Sequence, residues 1–210
     1  MTVKLVSYSI APRETAALAA GICTRAQNSS KALEIAMASD HESVLEHASF
    51  TFRISDISRV TLAQLTRHRI ASFSVQSQRH VAPEESHYVV PETVTETEGA
   101  EPIFDQAVNT AYRCYQKLLD MGIPKEDARY VLPEGTTTEL LLTMNVRELR
   151  HFFSLRCCNK AQWEIRELAW EMLERCQDIC PELFKDAGPG CLRGSCPEAK
   201  PCGEPVKEMK

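Results

Sequence analysis

The densest chemistry in the chain runs from Gln64 to Arg79, Gln-Leu-Thr-Arg-His-Arg-Ile-Ala-Ser-Phe-Ser-Val-Gln-Ser-Gln-Arg. Arg67, His68 and Arg69 put three donor-rich side chains at consecutive positions, and Arg79 adds a further guanidinium. Ser72, Ser74 and Ser77 supply hydroxyls between them. Forked guanidinium donors suit phosphate and carboxylate, and backbone amides of a polar loop cradle phosphate oxygens. A simpler origin exists, because cations in a last helical turn complement the dipole and the free carbonyls. That accounts for one or two of these residues, not for four cationic or potentially cationic groups within thirteen positions. The stretch reads as an anion site. Gln64 and Arg67, three apart, are expected to share a helix face.

A second stretch, Asn145 to Arg156, begins like a capping box, with Glu148 three residues after Asn145. Capping does not explain Arg156, which falls on the helical stripe of Leu149, Phe152 and Phe153. A guanidinium facing a core stripe needs a buried partner, either an internal carboxylate or a bound ligand. Two further pieces carry weaker signals. Glu126-Asp127-Ala128-Arg129-Tyr130-Val131-Leu132-Pro133 reads as a short helix closed by proline. His41-Glu42-Ser43-Val44-Leu45-Glu46-His47 invites a metal, but its spacing fits no zinc pattern, so no metal site is expected.

The elements that must position these residues are mixed. A strand is expected over 2–8, then an Ala-rich helical run from Arg13 to Met37, broken near Asn28-Ser29-Ser30, with Ser29 or Ser30 capping the second part. From His47 to Ser55, Ala48, Phe50, Phe52 and Ile54 alternate as on a half-buried strand. Ser55 or Asp56 should open a helix with Val60 and Leu65 inward, ending near Arg69, before a polar loop from Ser72 to Arg79. Residues 83–102 read as an acidic surface loop. Helices are expected over Ile103 to Met121, Pro124 to Leu132, 146–156 and 160–179, with a strand from Thr136 to Met144. Strands and helices without regular alternation predict an α+β domain, its mixed or antiparallel sheet flanked by helices. No glycine-rich phosphate loop of the dinucleotide or P-loop type is present.

Composition bounds the function. The chain has 210 residues and a net charge of −5, with 15 Arg among its 24 basic residues. An acidic protein that clusters arginine aims it at a small anion rather than at nucleic acid. No apolar run approaches the roughly 18–20 residues of a membrane helix, and the first residues lack a signal-peptide layout, so no membrane partner and a cytoplasmic location are expected. Nine cysteines, an odd count without an export signal, argue against a disulfide framework. Cys176, Cys180, Cys191, Cys196 and Cys202 crowd the C-terminal end, where reduced thiols are the default and a metal or redox clip the minor alternative.

Together these pieces resemble the flavin-dependent thymidylate synthase family. Its signature is Arg-His-Arg, seven residues, then Ser, matched here by Arg67-His68-Arg69 and Ser77, with Arg79 two further on. The segment His41 to His47 with Phe50-Thr51-Phe52, the segment Ala128 to Pro133, and the block from Asn145 through Arg156 to Ala161-Gln162-Trp163-Glu164-Ile165 resemble the family's other segments, in its order. The likeness covers roughly residues 2–184 and leaves a Cys-, Gly- and Pro-rich tail over 185–210. It implies a methyltransferase that makes dTMP from dUMP, with methylenetetrahydrofolate as carbon donor, FAD carrying the electrons and NADPH as reductant. It also implies a homotetramer with active sites shared between chains. Carried over by position, FAD would be held by Ser43, Arg67, His68, Arg69, Val75, Asn145, Val146, Arg147 and His151. The dUMP contacts would fall on Gln64, Leu65, Thr66, Arg67, Val75, Gln76, Ser77, Gln78, Arg79, Arg129 and Arg156, with Arg156 the catalytic residue at the uracil ring. Ser74-Val75, His80 and Lys160 depart from the family's usual residues at those positions. A non-catalytic nucleotide or flavin sensor of the same fold is the alternative.

Overall fold

Alternating burial along two central strands organises the molecule, a computed structural model that describes residues 1–83 and 87–206. In chain order the elements are β1 (Thr2–Tyr8), α1 (Pro12–Thr24), α2 (Ser29–Ala38), β2 (Ser49–Ser58), α3 (Arg59–Leu65) and β3 (Ala71–Val75). Then follow α4 (Glu92–Thr95), α5 (Ala100–Asp120), α6 (Lys125–Ala128), β4 (Thr137–Asn145), α7 (Val146–Arg156), α8 (Trp163–Ile179) and α9 (Pro181–Phe184). The strands form one antiparallel sheet in the order β1-β2-β4-β3, so the expected α+β class holds.

The chain clusters into two compact units. The smaller comprises 1–2, 54–64 and 74–140; the larger comprises 3–53, 65–73 and 141–210. In the larger unit, Phe50, Phe52, Leu142, Met144, Leu149, Phe152, Phe153 and Phe184 are fully buried or nearly so. The Phe184 ring meets Phe50 edge-on, centroids 5.4 Å apart. Such aromatic pairs add directional preference to the area that they bury. Helices α1 and α2 of this unit pack through Gly21, where a Cβ would stand 2.3 Å from the Ser29 hydroxyl. The smaller unit is built around Ile54, Ile57, Leu140, Val108 and two buried tyrosines of α5. The Tyr112 hydroxyl donates to the His87 carbonyl at 3.1 Å. Helix α5 stops as expected at Gly122, whose φ of +86° suits a residue without a Cβ.

Several local expectations change. The cap of α2 is Asn28, whose side chain accepts from Lys31 N at 3.0 Å, not Ser29 or Ser30. Strand β2 does not end at Ser55. Its buried alternation Phe50, Phe52, Ile54 slips by one to Ile57 across Asp56, which has φ +60°. One extra residue in a strand, as at a bulge, shifts the register without ending the pairing. The helix therefore starts at Arg59, with Ser58 Oγ accepting from Thr61 N at 3.1 Å. Val60 lies on its exposed side, while Leu65 is fully buried. The expected loop after Ser72 begins as strand β3, an edge strand with Ser72 and Ser74 exposed between Ala71, Phe73 and Val75. The expected 83–102 loop contains α4 and a bridge between Tyr88 and Thr136, and its residues 84–86 lie outside the described set.

One side chain ties several parts of the larger unit. Arg150 of α7 donates from Nε to Glu42 Oε1 at 2.9 Å and from Nη1 to the Leu183 carbonyl at 2.7 Å. Its two terminal nitrogens grip both oxygens of Asp186, at 2.7 and 3.1 Å. Burial alone would press its pKa down, but the bonds to Asp186 and Glu42 outweigh it and raise it. Asp186, held by Arg150, keeps its carboxyl below the ordinary range. Arg150→Ala strands these acceptors and should cost about 3 kcal/mol. The measurement is thermal unfolding, and an unchanged Tm contradicts the tie. The Asp186 contribution is fully present above the unfolded carboxyl's pKa of about 3.9 and is lost as pH falls through the depressed folded value. Asp186→Asn should therefore lose less stability than the parent as pH falls below about 4.

Candidate active site

Helix α3 ends at Leu65, and His68 N turns back to the Leu65 carbonyl at 3.1 Å. Arg67, His68 and Arg69 thus sit on a turn beyond the helix, and no basic residue lies in its last turn. The helix-dipole explanation of the cluster fails for that reason, and Gln64 and Arg67 do not share a helical face. The turn sends Arg67 and Arg69 outward and His68 inward, where the imidazole is 5% exposed.

The inward imidazole is held at both nitrogens. Nδ1 lies 3.1 Å from Glu148 Oε1, and Arg156 Nε donates to Nε2 at 3.1 Å. Both partners come from α7. Asn145 caps that helix, its Oδ1 accepting from Glu148 N at 2.9 Å, as its sequence predicts. The Glu148 carboxylate bonds His68 and leaves the capping box half-made. Arg156 ends the stripe of Leu149, Phe152 and Phe153, all fully buried, and is itself partly buried. Its Nε has an imidazole as partner. Burial, followed by the charge of Arg67, pushes its pKa down, although a guanidinium remains charged at neutral pH.

These groups line a cavity of about 590 Å³ within the larger unit. Arg67, Arg69, Arg156 and His151 give it a cationic, donor-rich wall, and Ile70, Leu155 and Pro189 an apolar one. Lys160, Cys158, Cys191, Cys196 and Glu198 also line it. Sequence reasoning did not place the C-terminal segment at the site, because nothing in its spacing says where it folds back. It is held by Lys160 Nζ to Glu198 at 3.0 Å and by Asn159 Nδ2 to the Glu204 carbonyl at 2.6 Å. Glu148 was legible only as a cap residue. Cys157, fully buried, has its thiol pKa pushed far up by burial, the opposite of an activated nucleophile. Cys176 and Cys180 are buried as well. Among the described residues no three His, Cys, Asp or Glu side chains converge to hold a metal.

The other residues singled out in the sequence distribute as follows. Asn145 and Arg147 stand at the start of α7, with Arg147 ion-paired to Glu46, and Val146 is fully buried. Ser43 lies in a 3-10 turn, Glu42–His47. Leu65 is in the core and Thr66 is exposed. Gln64, Val75, Gln76, Ser77, Gln78, Arg79 and Arg129 belong to the smaller unit. There Glu126 gathers two of them: Arg79 Nε donates to its carboxylate at 2.8 Å and Arg129 Nε to its carbonyl at 3.0 Å. Ser77 Oγ accepts from Arg79 N at 3.3 Å, and Gln78 Nε2 is buried without a hydrogen-bond partner.

His68 is a titration probe of this arrangement. Burial depresses its pKa most; the Glu148 hydrogen bond opposes this, and Arg156 reinforces it. The neutral ring is also the only form whose Nε2 accepts from Arg156. The folded protein therefore binds this proton less readily than the unfolded chain. The stabilisation is fully present above the unfolded value of about 6.5 and is lost as pH falls below it. A histidine-resolved NMR titration should place the His68 midpoint below 6.5; a midpoint above that value contradicts the burial argument.

Comparison with known proteins gives the same direction. Residues 4–182 match the family described as thymidylate synthase complementing protein. The chain is 46% identical to a flavin-dependent thymidylate synthase of Geobacter sulfurreducens, covering 97% of this chain and 94% of that one. It is 39% identical to the enzyme of the same name from Clostridium tetani, over 99% and 95% of the two chains. Among solved structures, the flavin-dependent thymidylate synthase ThyX of Helicobacter pylori, complexed with FAD and dUMP, superposes with a TM-score of 0.72 at 27% identity, covering 90% of this chain and all of that one. With a family match spanning most of its length and relatives this similar, the chain belongs to the thymidylate synthase complementing proteins, the flavin-dependent thymidylate synthases.

Proposed function

We propose that this chain catalyses the reductive methylation of dUMP to dTMP, with methylenetetrahydrofolate as carbon donor, reduced FAD as hydride donor and NADPH as the reductant of the flavin. The observation that carries the reading is the pairing of Arg156 and Arg67 at one cavity. Burial and then the positive charge of Arg67 disfavour the charged form of Arg156, and an anion bound at the same wall relieves that cost. A nucleotide monophosphate whose ring gains negative charge during reaction is such an anion.

The residues suit both groups. Arg67 and Arg69 are exposed forked donors fit for the phosphates of FAD, with His151 as a further polar group and Ile70 and Leu155 as apolar wall. Arg147 and the Asn145 amide stand at the start of α7 for the same cofactor. When bound and reduced, FAD supplies the hydride that completes the methyl group. For dUMP, Arg156 would lie at the pyrimidine edge. Its charge favours the N3-deprotonated or enolate-like ring, which strengthens C5 as a nucleophile toward the one-carbon unit. The C5 hydrogen then leaves as a proton. The Ser77 hydroxyl accepts from Arg79 N, which supports a binding role. Arg79 and Arg129, gathered at Glu126, are the candidates for the phosphate of dUMP. Gln64, Gln76, Gln78 and Arg79 belong to the smaller unit and Arg156 to the larger. A homotetramer with shared sites agrees with the exposure of Ile70 and Tyr130, 66% and 85%, next to Arg69 and Arg129. No helix of the described residues is long and apolar enough to cross a membrane.

The direct experiment is release of the C5 hydrogen of labelled dUMP into water, with FAD, NADPH and methylenetetrahydrofolate present. Release with dTMP formation, abolished in protein stripped of flavin, is expected. Binding of dUMP and FAD without release would identify a nucleotide sensor and would overturn the catalytic reading. Arg156→Ala should lower turnover by about 10²–10³-fold, the scale for removing one group that stabilises developing charge. Steady-state activity equal to the parent's would remove Arg156 from the chemistry.

A further inference from the structure

The buried carboxylate of Glu148 lines the cavity, and neither its helix nor the proposed chemistry gives it a task. It is 7% exposed, and its hydrogen bond goes to His68 Nδ1 rather than back to the backbone at its own cap. A buried carboxylate is retained only where it is paired or hydrogen-bonded, so the bond to His68 is what holds it there. That bond has a directional consequence. A carboxylate only accepts, so Nδ1 must carry the hydrogen, and Nε2 is then left with its lone pair. Arg156 Nε, 3.1 Å away, can only donate. The three groups form a chain in which each hydrogen has one possible direction.

We infer that Glu148 is a positioning residue: by fixing the tautomer of His68 it fixes the orientation of the Arg156 guanidinium toward the bound pyrimidine. This deepens the functional reading above and rests on it for the identity of the ligand. The ring cannot take up the task by itself. Phe152 meets it edge-on at 4.9 Å between centroids, and His151 lies 6.1 Å away, so its plane is set by packing but its hydrogen is not. The charged or titratable groups facing the ring are Glu148, Arg156 and His151, and of these only Glu148 can accept from Nδ1 while carrying a fixed negative charge. With Gln at this position the amide can donate to Nδ1 as readily as accept. The hydrogen is then free to move to Nε2, where it opposes the Arg156 N–H.

Two measurements on the FAD-loaded protein test this. The first needs no variant and no substrate. In the ¹⁵N spectrum of histidine-labelled protein near pH 8, His68 should be the Nδ1–H tautomer; an Nε2–H tautomer overturns the inference. The second is a double-variant cycle read as dUMP affinity. Glu148→Gln should weaken binding on the order of tenfold to a hundredfold, the scale for carboxylates that orient a functional histidine. Arg156→Ala should weaken it as well, and the double variant should bind no more weakly than Arg156→Ala alone. Penalties that add mean that Glu148 does not act through Arg156, and the inference fails. A merely structural Glu148 would give that additive result. If the parent protein binds no dUMP, the functional reading falls, and the tautomer measurement still decides the role of Glu148.

Discussion

An imidazole with one hydrogen and two fixed neighbours organises the candidate site. His68 is turned inward by a chain reversal directly after α3, and both of its ring nitrogens are committed to side chains of a single helix, α7. Helix α7 in turn is held at its start by Asn145 and in its middle by the Arg150 fork on Glu42 and Asp186. Loosening α7 would move Glu148 and Arg156 together, and the direction of a guanidinium is worth little to an anion if it wanders. Rigid helical support for the charged end and a turn for the exposed arginines divide the labour between stability and access.

The same helix shows how one amphipathic pattern serves two ends. Leu149, Phe152 and Phe153 continue the core. One turn further the stripe meets the cavity, and the position is filled by arginine. A charge there is tolerated because its Nε is satisfied by a neutral ring and because the cavity admits water or a ligand on the other side. The repulsion that Arg67 exerts on Arg156 suits an anion bound at the same wall. In a protein whose net charge is −5, it is a local feature and not a general basic surface.

The C-terminal segment alters the picture that composition alone suggests. A Gly-, Pro- and Cys-rich stretch reads as loosely attached chain, yet Ala187 is 1% exposed and Asp186 anchors Arg150. Pro189, Cys191, Cys196 and Glu198 form part of the cavity wall. Its thiols sit near the candidate site without the geometry of a metal centre among the described residues. Local composition reports how a segment forms secondary structure. It says little about which surface the segment folds against.

Residue order alone settled the elements with strong periodicity: the β2 alternation through Phe50, Phe52 and Ile54, the α5 stop at Gly122, the Asn145 cap and the stripe that ends in Arg156. It also settled the ordered motifs that carry the family membership, because those are local strings. The folded chain decided what depends on neighbours distant in sequence. The slip at Asp56 carried β2 past its expected end, and edge pairing made a strand of Ala71 to Val75 despite its serines. Most of all, folding turned Glu148 from a cap residue into the partner of an imidazole eighty positions away. Periodicity encodes which side of an element is buried. Only packing determines which polar group waits on the other side, because a hydrogen bond between distant residues leaves no mark in the spacing of either one.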